Sequence, residues 1–149
     1  MQEILLVEDS DEDAQLLRLA LKRAGIANPV RHLFDGLTAG ILLREIDRVG
    51  PVSPLLPGVL LIDLKLPGMS GFDLLELTQK SNAFAGTLRI VLSQLDDTQS
   101  IKRAYALGAR SFLTKPVSSY DLIELTTAFP EYWKFGGNPA HARFHASAS

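Results

Sequence analysis

Short apolar runs alternate with amphipathic segments over most of the chain. Continuous apolar runs bounded by polar residues predict buried strands, and five occur, at residues 4–7, 30–34, 59–62, 88–92 and 112–113. Between and after them, apolar residues recur at spacings of three and four, which predicts helices near residues 10–24, 37–50, 72–80, 96–107 and 118–129. Ser10 or Asp11 is expected to begin the first helix, and Pro130 is expected to kink or shorten the last.

Five strands that alternate with five helices through short connections require parallel crossovers. We therefore predict an α/β fold, a doubly wound parallel sheet with helices on both faces. The composition shifts once, at Gly136-Gly137, where small residues become frequent. We expect one folded domain over residues 1–133, followed by a C-terminal tail over residues 134–149.

Composition and charge exclude several classes of protein. The chain has 149 residues, no cysteine and a formal charge of −2, from 15 basic and 17 acidic side chains, so neither a disulfide scaffold nor a cysteine-based zinc site is possible. No apolar run approaches the ~18 residues of a membrane span, so no membrane association is expected and a cytoplasmic location is the simplest interpretation. The basic residues are scattered, which argues against direct binding of nucleic acid.

Acidic side chains directly follow two of the predicted strands. Glu8 and Asp9 follow the first strand, and Asp63 follows the third. Ligands bind a doubly wound sheet at the carboxyl ends of its strands, so we expect these three carboxylates to lie in one crevice. A cation would keep them ionised, and hard oxygen ligands of this kind favour Mg²⁺. For each acid alone, the start of a solvated loop is an equally good interpretation.

A hydroxyl and an ammonium group follow two further strands. Ser93 closes the fourth strand, and Lys115 closes the fifth. Taken singly, a serine here is more often a helix cap, and a lysine before proline is more often a surface residue. Taken with the acids, they indicate a site where Asp63 attacks a phosphoryl group while a metal, Ser93 and Lys115 hold its oxygens.

The residues at these strand ends belong to longer motifs. The motifs are Ile4-Leu5-Leu6-Val7-Glu8-Asp9, Leu61-Ile62-Asp63-Leu64-Lys65-Leu66-Pro67-Gly68-Met69-Ser70-Gly71, Ser93, Gly108-Ala109 and Phe112-Leu113-Thr114-Lys115-Pro116. With them the chain resembles, over residues 3–129, the response-regulator receiver domain, the phosphoacceptor module of two-component signalling. The resemblance implies a flavodoxin-like fold with strand order 2-1-3-4-5.

The resemblance also implies roles for the residues of the crevice. Asp63 takes a phosphoryl group from a sensor histidine kinase, and Ser93 and Lys115 contact the phosphoryl oxygens. The expected protein ligands of Mg²⁺ are the carboxylates of Glu8, Asp9 and Asp63 and the backbone carbonyl of Lys65. The bond before Pro116 is expected to be cis, and Phe112 is expected to change orientation with Ser93 on activation.

Some features depart from the general pattern of the family. Residues 50–57 lengthen the connection before the third strand, and Tyr132-Trp133 follow the last helix, which resembles small bacterial regulators paired with phytochrome-type sensor kinases. Gln94 stands where the family usually has a small residue, so its amide is expected to narrow the access of a phosphodonor.

The leading hypothesis is a stand-alone phosphoacceptor that switches partner binding, since no output domain follows in this sequence. Its downstream contact is either a protein partner or a phosphotransfer protein, and no turnover of a separate substrate is expected. The alternative is an interaction module of the same fold that works without phosphorylation. A small-molecule phosphohydrolase is disfavoured, because Lys65 stands where such an enzyme usually carries a second acid.

Further expectations concern the tail and individual polar residues. Tyr132, Trp133 and Phe135 are expected to bury surface in a homodimer or in another tail-mediated partner contact. His32 is interpreted as a surface residue. Ser93 and Lys115, at an open crevice, are expected to contribute little to folding.

Overall fold

The computed structural model describes residues 3–94 and 97–136, and it has the predicted alternation of strands and helices. Five parallel strands form one sheet in the order β2-β1-β3-β4-β5: β1 (Ile4–Val7), β2 (Val30–Leu33), β3 (Val59–Asp63), β4 (Leu88–Ser93) and β5 (Ser111–Thr114). The helices are α1 (Asp11–Arg23), α2 (Gly36–Val49), α3 (Gly71–Gln79), α4 (Thr98–Ala106) and α5 (Ser119–Ala128). The doubly wound fold and the strand order are thus confirmed.

Alternate residues of each strand enter two separate apolar layers. In β1, Ile4 and Leu6 pack with α1 and α5, whereas Leu5 and Val7 pack with α2, α3 and α4, and all four side chains are fully buried. Burial on both faces explains why the strands are continuous apolar runs. Among the described helices, none is long and apolar enough to cross a membrane.

The helices begin at side-chain caps. Ser10 caps α1 by accepting a hydrogen bond from the backbone N–H of Asp13, so of the two expected positions Ser10 is the cap. Asp97 caps α4, which therefore begins one residue after the predicted acidic turn. Asp96, the other acid of that turn, lies outside the described residues. At the other end of the chain α5 stops at Ala128, and residues 130–132 form a short 3₁₀ turn, so Pro130 shortens the helix as predicted.

The chain after α5 folds back onto its own domain. Residues 134–136 run antiparallel to the connection between α1 and β2, with Ile26 opposite Phe135. The side-chain amide of Asn28 accepts a hydrogen bond from the backbone N–H of Lys134 and donates one to the carbonyl of Tyr132. The first three residues of the predicted tail are therefore attached to the domain, and residues 137–149 lie outside the described part of the chain.

The position of Trp133 corrects the expectation that it buries surface against a partner. Its side chain is 7% exposed and packs in the layer formed by α1, α5 and the sheet. Phe135 can still make the predicted contact with a partner, because this residue is 45% exposed. Trp133 is thus part of the core of this chain.

Trp133→Ala should therefore lower the free energy of unfolding, by about 3–5 kcal/mol, because it empties a buried site of aromatic size. Urea denaturation followed by circular dichroism measures the loss. Phe135→Ala is the matched control from the same segment, and it should cost much less because the ring is half exposed. Equal losses in the two variants would contradict the burial of Trp133.

Candidate functional site

The carboxyl edge of the sheet brings together the side chains predicted from the strand ends. Glu8 and Asp9 follow β1, Asp63 ends β3, Ser93 ends β4 and Lys115 follows β5. Because β1 and β3 are neighbours and β4 lies next to β3, parallel pairing places these ends side by side. All of these residues except Glu8 line a cavity of about 250 Å³, together with Asp13, Lys65 and Gln94.

The ammonium group of Lys115 lies at the centre of the acidic cluster. Its Nζ forms ion pairs with Glu8 Oε1, with Asp63 Oδ2 at 2.9 Å and with Asp13 Oδ2 at 3.0 Å. The Lys115 side chain is 9% exposed, and those of Glu8 and Asp63 are 2% and 8% exposed. Ion pairs this well shielded from water are stronger than surface pairs, but they carry a larger cost of desolvation.

Burial also corrects the premise that Ser93 and Lys115 lie at an open surface. Ser93 is 1% exposed, and the backbone N–H of Lys115 donates to the carbonyl of Ser93 at 2.9 Å. The Lys115-Pro116 peptide bond is cis. These two residues are consequently part of the packed end of the sheet and also line the crevice.

The Asp63 carboxylate accepts hydrogen bonds both from the loop that follows it and from Lys115. The backbone N–H of Lys65 donates to Asp63 Oδ1 at 3.2 Å, and the N–H of Gly71 donates to the carbonyl of Leu64. A β-carbon on Gly71 would lie 2.4 Å from the backbone oxygen of Asp63, so the start of α3 approaches this closely only because residue 71 is glycine. The two Asp63 oxygens therefore have different donors, one from the backbone and one from Lys115.

The ionisation of Glu8 differs from that of an ordinary glutamate. The pKa of its carboxyl is raised from 4.5 to about 7, chiefly by burial and less by the negative charge of Asp63, while the hydrogen bond from Lys115 opposes both. For Lys115, burial acts to lower the pKa, but hydrogen bonds to Glu8, Asp63 and Asp13 outweigh it, so the pKa lies above its usual value. Lys115 therefore stays charged at neutral pH, whereas metal-free Glu8 is partly protonated.

Three of the carboxylates have the arrangement of a metal site. Glu8, Asp9 and Asp63 each offer an oxygen, and these atoms lie within 4.8 Å of one another. Asp9 is exposed to the crevice, while the other two are buried. The donor set consists entirely of hard oxygen ligands and is open on one side, which fits a divalent cation that keeps several waters, such as Mg²⁺.

Two contacts in the site escaped the sequence analysis. Asp13 comes from the first turn of α1, which points at the crevice, and it pairs with Lys115. His32 is half-buried, and its Nε2–H donates to the backbone carbonyl of Glu8 at 2.7 Å, so it is tied to the site and is not a free surface residue. The only sequence signal for Asp13 was its position in the first turn of a helix that follows a strand with acids at its end.

Comparisons with known proteins agree with this geometry. A family model described as the response regulator receiver domain matches residues 4–127. The probable methanogenesis regulatory protein FilR2 of Methanothrix harundinacea (strain 6Ac) is 33% identical over 130 residues, which are 87% of this chain and 82% of that protein. The response regulator Rcp1 of Synechocystis sp. (strain ATCC 27184 / PCC 6803 / Kazusa) is 29% identical over 130 residues, 87% of each chain.

Solved structures show the same similarity. The Mn²⁺-bound form of Rcp1 superposes with a TM-score of 0.68 at 28% identity, over 89% of this chain and 94% of that chain. The bacteriophytochrome response regulator RtBRR superposes with a TM-score of 0.75 at 26% identity, over 99% of this chain and 93% of that chain. The likeness thus extends over nearly the whole of each chain.

The raised pKa of Glu8 makes the stability of the metal-free protein depend on pH. The folded state favours the protonated form, so the stabilisation from Glu8 is fully present below about pH 4.5 and is lost as the pH rises through about 7. The loss is on the order of 3 kcal/mol. In EDTA, the wild type should match Glu8→Gln near pH 4 and be the less stable of the two near pH 8, measured by urea unfolding. A stability difference that does not vary between these pH values would contradict the shift.

Proposed function

The chain belongs to the response-regulator receiver family, and we propose that it accepts a phosphoryl group on Asp63 from a sensor histidine kinase and thereby switches the binding of a partner. The observation that carries the proposal is the convergence of Asp63, a buried ammonium group and an oxygen-donor cluster on one cavity. A module that only bound other proteins would have no physical need to concentrate this much charge in a crevice. Phosphoryl transfer needs all three elements.

The chemistry is a displacement at phosphorus. One carboxylate oxygen of Asp63 attacks the phosphorus of a phosphohistidine, the phosphorus–nitrogen bond breaks, and the imidazole leaves with the bonding electrons. Lys115 donates to the phosphoryl oxygens from inside the crevice, and the Ser93 hydroxyl contacts them from β4. Gln94 lines the same cavity, where its amide would narrow the approach of the donor.

Mg²⁺ is the proposed cofactor. Its protein ligands would be the carboxylates of Glu8, Asp9 and Asp63 together with the backbone carbonyl of Lys65. When bound, the ion supplies positive charge that neutralises the phosphoryl oxygens as negative charge accumulates. The fit of the donor set supports this assignment, and so does Rcp1, a relative whose structure contains Mn²⁺.

In the proposed switch, a conformational change is transmitted from Ser93 through Phe112 to the surface of the domain. Ser93 and Phe112 lie on adjacent strands, where Val91 is paired with Phe112, and Phe112 packs in the same layer as α4. If Ser93 moves toward a phosphoryl group, it vacates space toward which Phe112 can turn. The face formed by α4, β5 and α5, where Tyr105 is half exposed, would then change its shape.

The partners follow from the same proposal. The names of the bacteriophytochrome response regulators among the structural relatives support a phytochrome-type sensor kinase as phosphodonor. The downstream contact is a second protein or a phosphotransfer protein, and a cytoplasmic location suits both. We expect no turnover of a separate substrate, because the aspartyl phosphate is itself the signal. A homodimer, if it forms, would use Phe135 and not the buried Trp133.

Acetyl phosphate with Mg²⁺ should add one phosphoryl mass to the protein, because it is a small donor that needs no kinase. Asp63→Asn should abolish the increment, and EDTA should reduce it strongly, since Asp63 and the donor repel each other without the cation. Intact-mass spectrometry measures both. Asp73→Asn is the control, because that exposed carboxylate only caps α3. An increment that survives Asp63→Asn would contradict Asp63 as the phosphoacceptor, and one that never forms in the wild type would support the phosphorylation-independent alternative.

Beryllofluoride with Mg²⁺ should shift the backbone NMR signals of residues 97–125, because a phosphoryl mimic must favour one conformation in order to move the switch. Phe112→Ala should reduce the shifts on α4 while leaving those near Asp63 in place. Addition of the mimic to Asp63→Asn is the control. Unchanged signals over residues 97–125 in the wild-type complex would refute the switch through Phe112, though not the phosphorylation of Asp63.

A further inference from the structure

Asp13 is a fourth carboxylate of the crevice, and the proposed function leaves it without a role. It lies on α1, whereas the three acids of the metal group follow strands, and it is not a member of that group. Its side chain is 29% exposed, and Oδ2 lies 3.0 Å from the Nζ of Lys115. The hydrogen bond from its backbone N–H to Ser10 fixes the residue in the first helical turn.

The hydrogen-bonding capacity of Lys115 defines what Asp13 does. An ammonium group has three N–H donors, and the described structure gives this one three carboxylate partners, Glu8, Asp13 and Asp63. Every donor is therefore in use before phosphorylation. Contact with a phosphoryl oxygen requires one of the three partners to release its donor.

Asp63 is the partner that changes. When its oxygen becomes part of an acyl phosphate, it loses its negative charge and is a much weaker acceptor, and the phosphoryl oxygens lie next to it. The donor that pointed at Asp63 then points at the new group. The other two donors keep their carboxylates, and two fixed hydrogen bonds determine the direction of the third.

Of these two anchors, Asp13 is the one that metal binding does not use. Glu8 also belongs to the metal group, so a bound cation competes with Lys115 for its oxygens. Asp13 is not in the metal group found among the described residues, so a cation bound there would not compete with Lys115 for the oxygens of Asp13. We propose that Asp13 is a positioning residue that holds the Lys115 ammonium so that its remaining donor is directed at the phosphoryl group on Asp63. This inference rests on the proposed function.

The test measures the rate of phosphorylation by acetyl phosphate as the Mg²⁺ concentration is raised to saturation. Asp13→Ala should lower the maximal rate about tenfold, because a displaced catalytic group slows transfer by one to two orders of magnitude. The Mg²⁺ concentration at half-saturation should stay within about twofold, an ordinary margin for an uncoupled site. Asp13→Asn should recover most of the rate, because its amide oxygen still accepts a hydrogen bond from Lys115.

Asp11→Ala is the matched control. Asp11 lies in the same first turn of α1 but is exposed; its side chain accepts a hydrogen bond from Gln15 and, among the described residues, none from the crevice. Asp11→Ala removes the same charge from the same helix end as Asp13→Ala does. Because Asp11 does not pair with Lys115, this variant should keep the rate within about twofold of the wild type. A loss that Asp11→Ala shares would assign the effect to the helix and overturn the role of Asp13.

A double-mutant cycle shows whether Asp13 acts through Lys115. In a Lys115→Ala background, Asp13→Ala should slow the reaction no further, because the group that it positions is gone. A full tenfold further loss would overturn the proposal, as would a faster reaction in both Asp13 variants, which would make Asp13 a competitor of the phosphoryl group. If the wild type itself takes no phosphoryl group, the proposed function fails; normal rates in the Asp13 variants refute only this inference.

Discussion

The ion pairs of the Lys115 ammonium are the interaction on which the rest of the crevice depends. The fold concentrates four carboxyl groups at one end of the sheet, and like charges in a poorly hydrated place repel strongly. One buried cation that touches three of them makes this arrangement stable enough to exist without metal. Burial of Glu8 and the remaining repulsion from Asp63 together raise the pKa of Glu8, so that a proton partly neutralises this carboxylate.

The parallel sheet explains why this chemistry lies where it does. The central strands are buried on both faces, so a polar side chain in their middle would have no solvent and no partner. The ends of the strands are the first positions where polar groups are tolerated. Alternation then divides them between the two sides: Asp63 follows Leu61 on the side of α1 and α5, whereas Ser93 follows Val91 on the side of α4. An event at Asp63 can therefore be transmitted to the opposite layer through the adjacent strand.

Most of the fold and the main residues of the site could be predicted, because both depend on local patterns. Four of the five apolar runs are followed within two residues by a polar side chain of the crevice, so Glu8, Asp63 and Lys115 could be identified from the strand boundaries. Asp13 did not, because the rotation of α1 about its axis relative to the sheet is determined by packing and is not encoded in the spacing of its acids. The raised pKa of Glu8 could not be predicted from the sequence either, because burial and the neighbouring charges are properties of the assembled site.

The packing of Trp133 is a further feature that local sequence patterns could not predict. The aromatic residues that follow the last helix suggested an intermolecular contact. The Asn28 side chain that clasps this segment lies 104 and 106 residues away in sequence from its two partners, Tyr132 and Lys134. No local pattern contains a pairing of that separation. The burial of Trp133 was predicted correctly, while its packing against its own domain was not.

The antiparallel pairing of Phe135 with Ile26 also determines the direction in which the polypeptide leaves the domain. Gly25 and Ile26 precede β2, so Gly136 lies at the amino edge of the sheet, and the Asp63 carboxylate lies at the other edge, one strand length or roughly 15 Å away. A fluorophore attached at Gly136 would therefore lie on the side of the molecule remote from the crevice. A label at this position would leave access to the Asp63 carboxylate unobstructed.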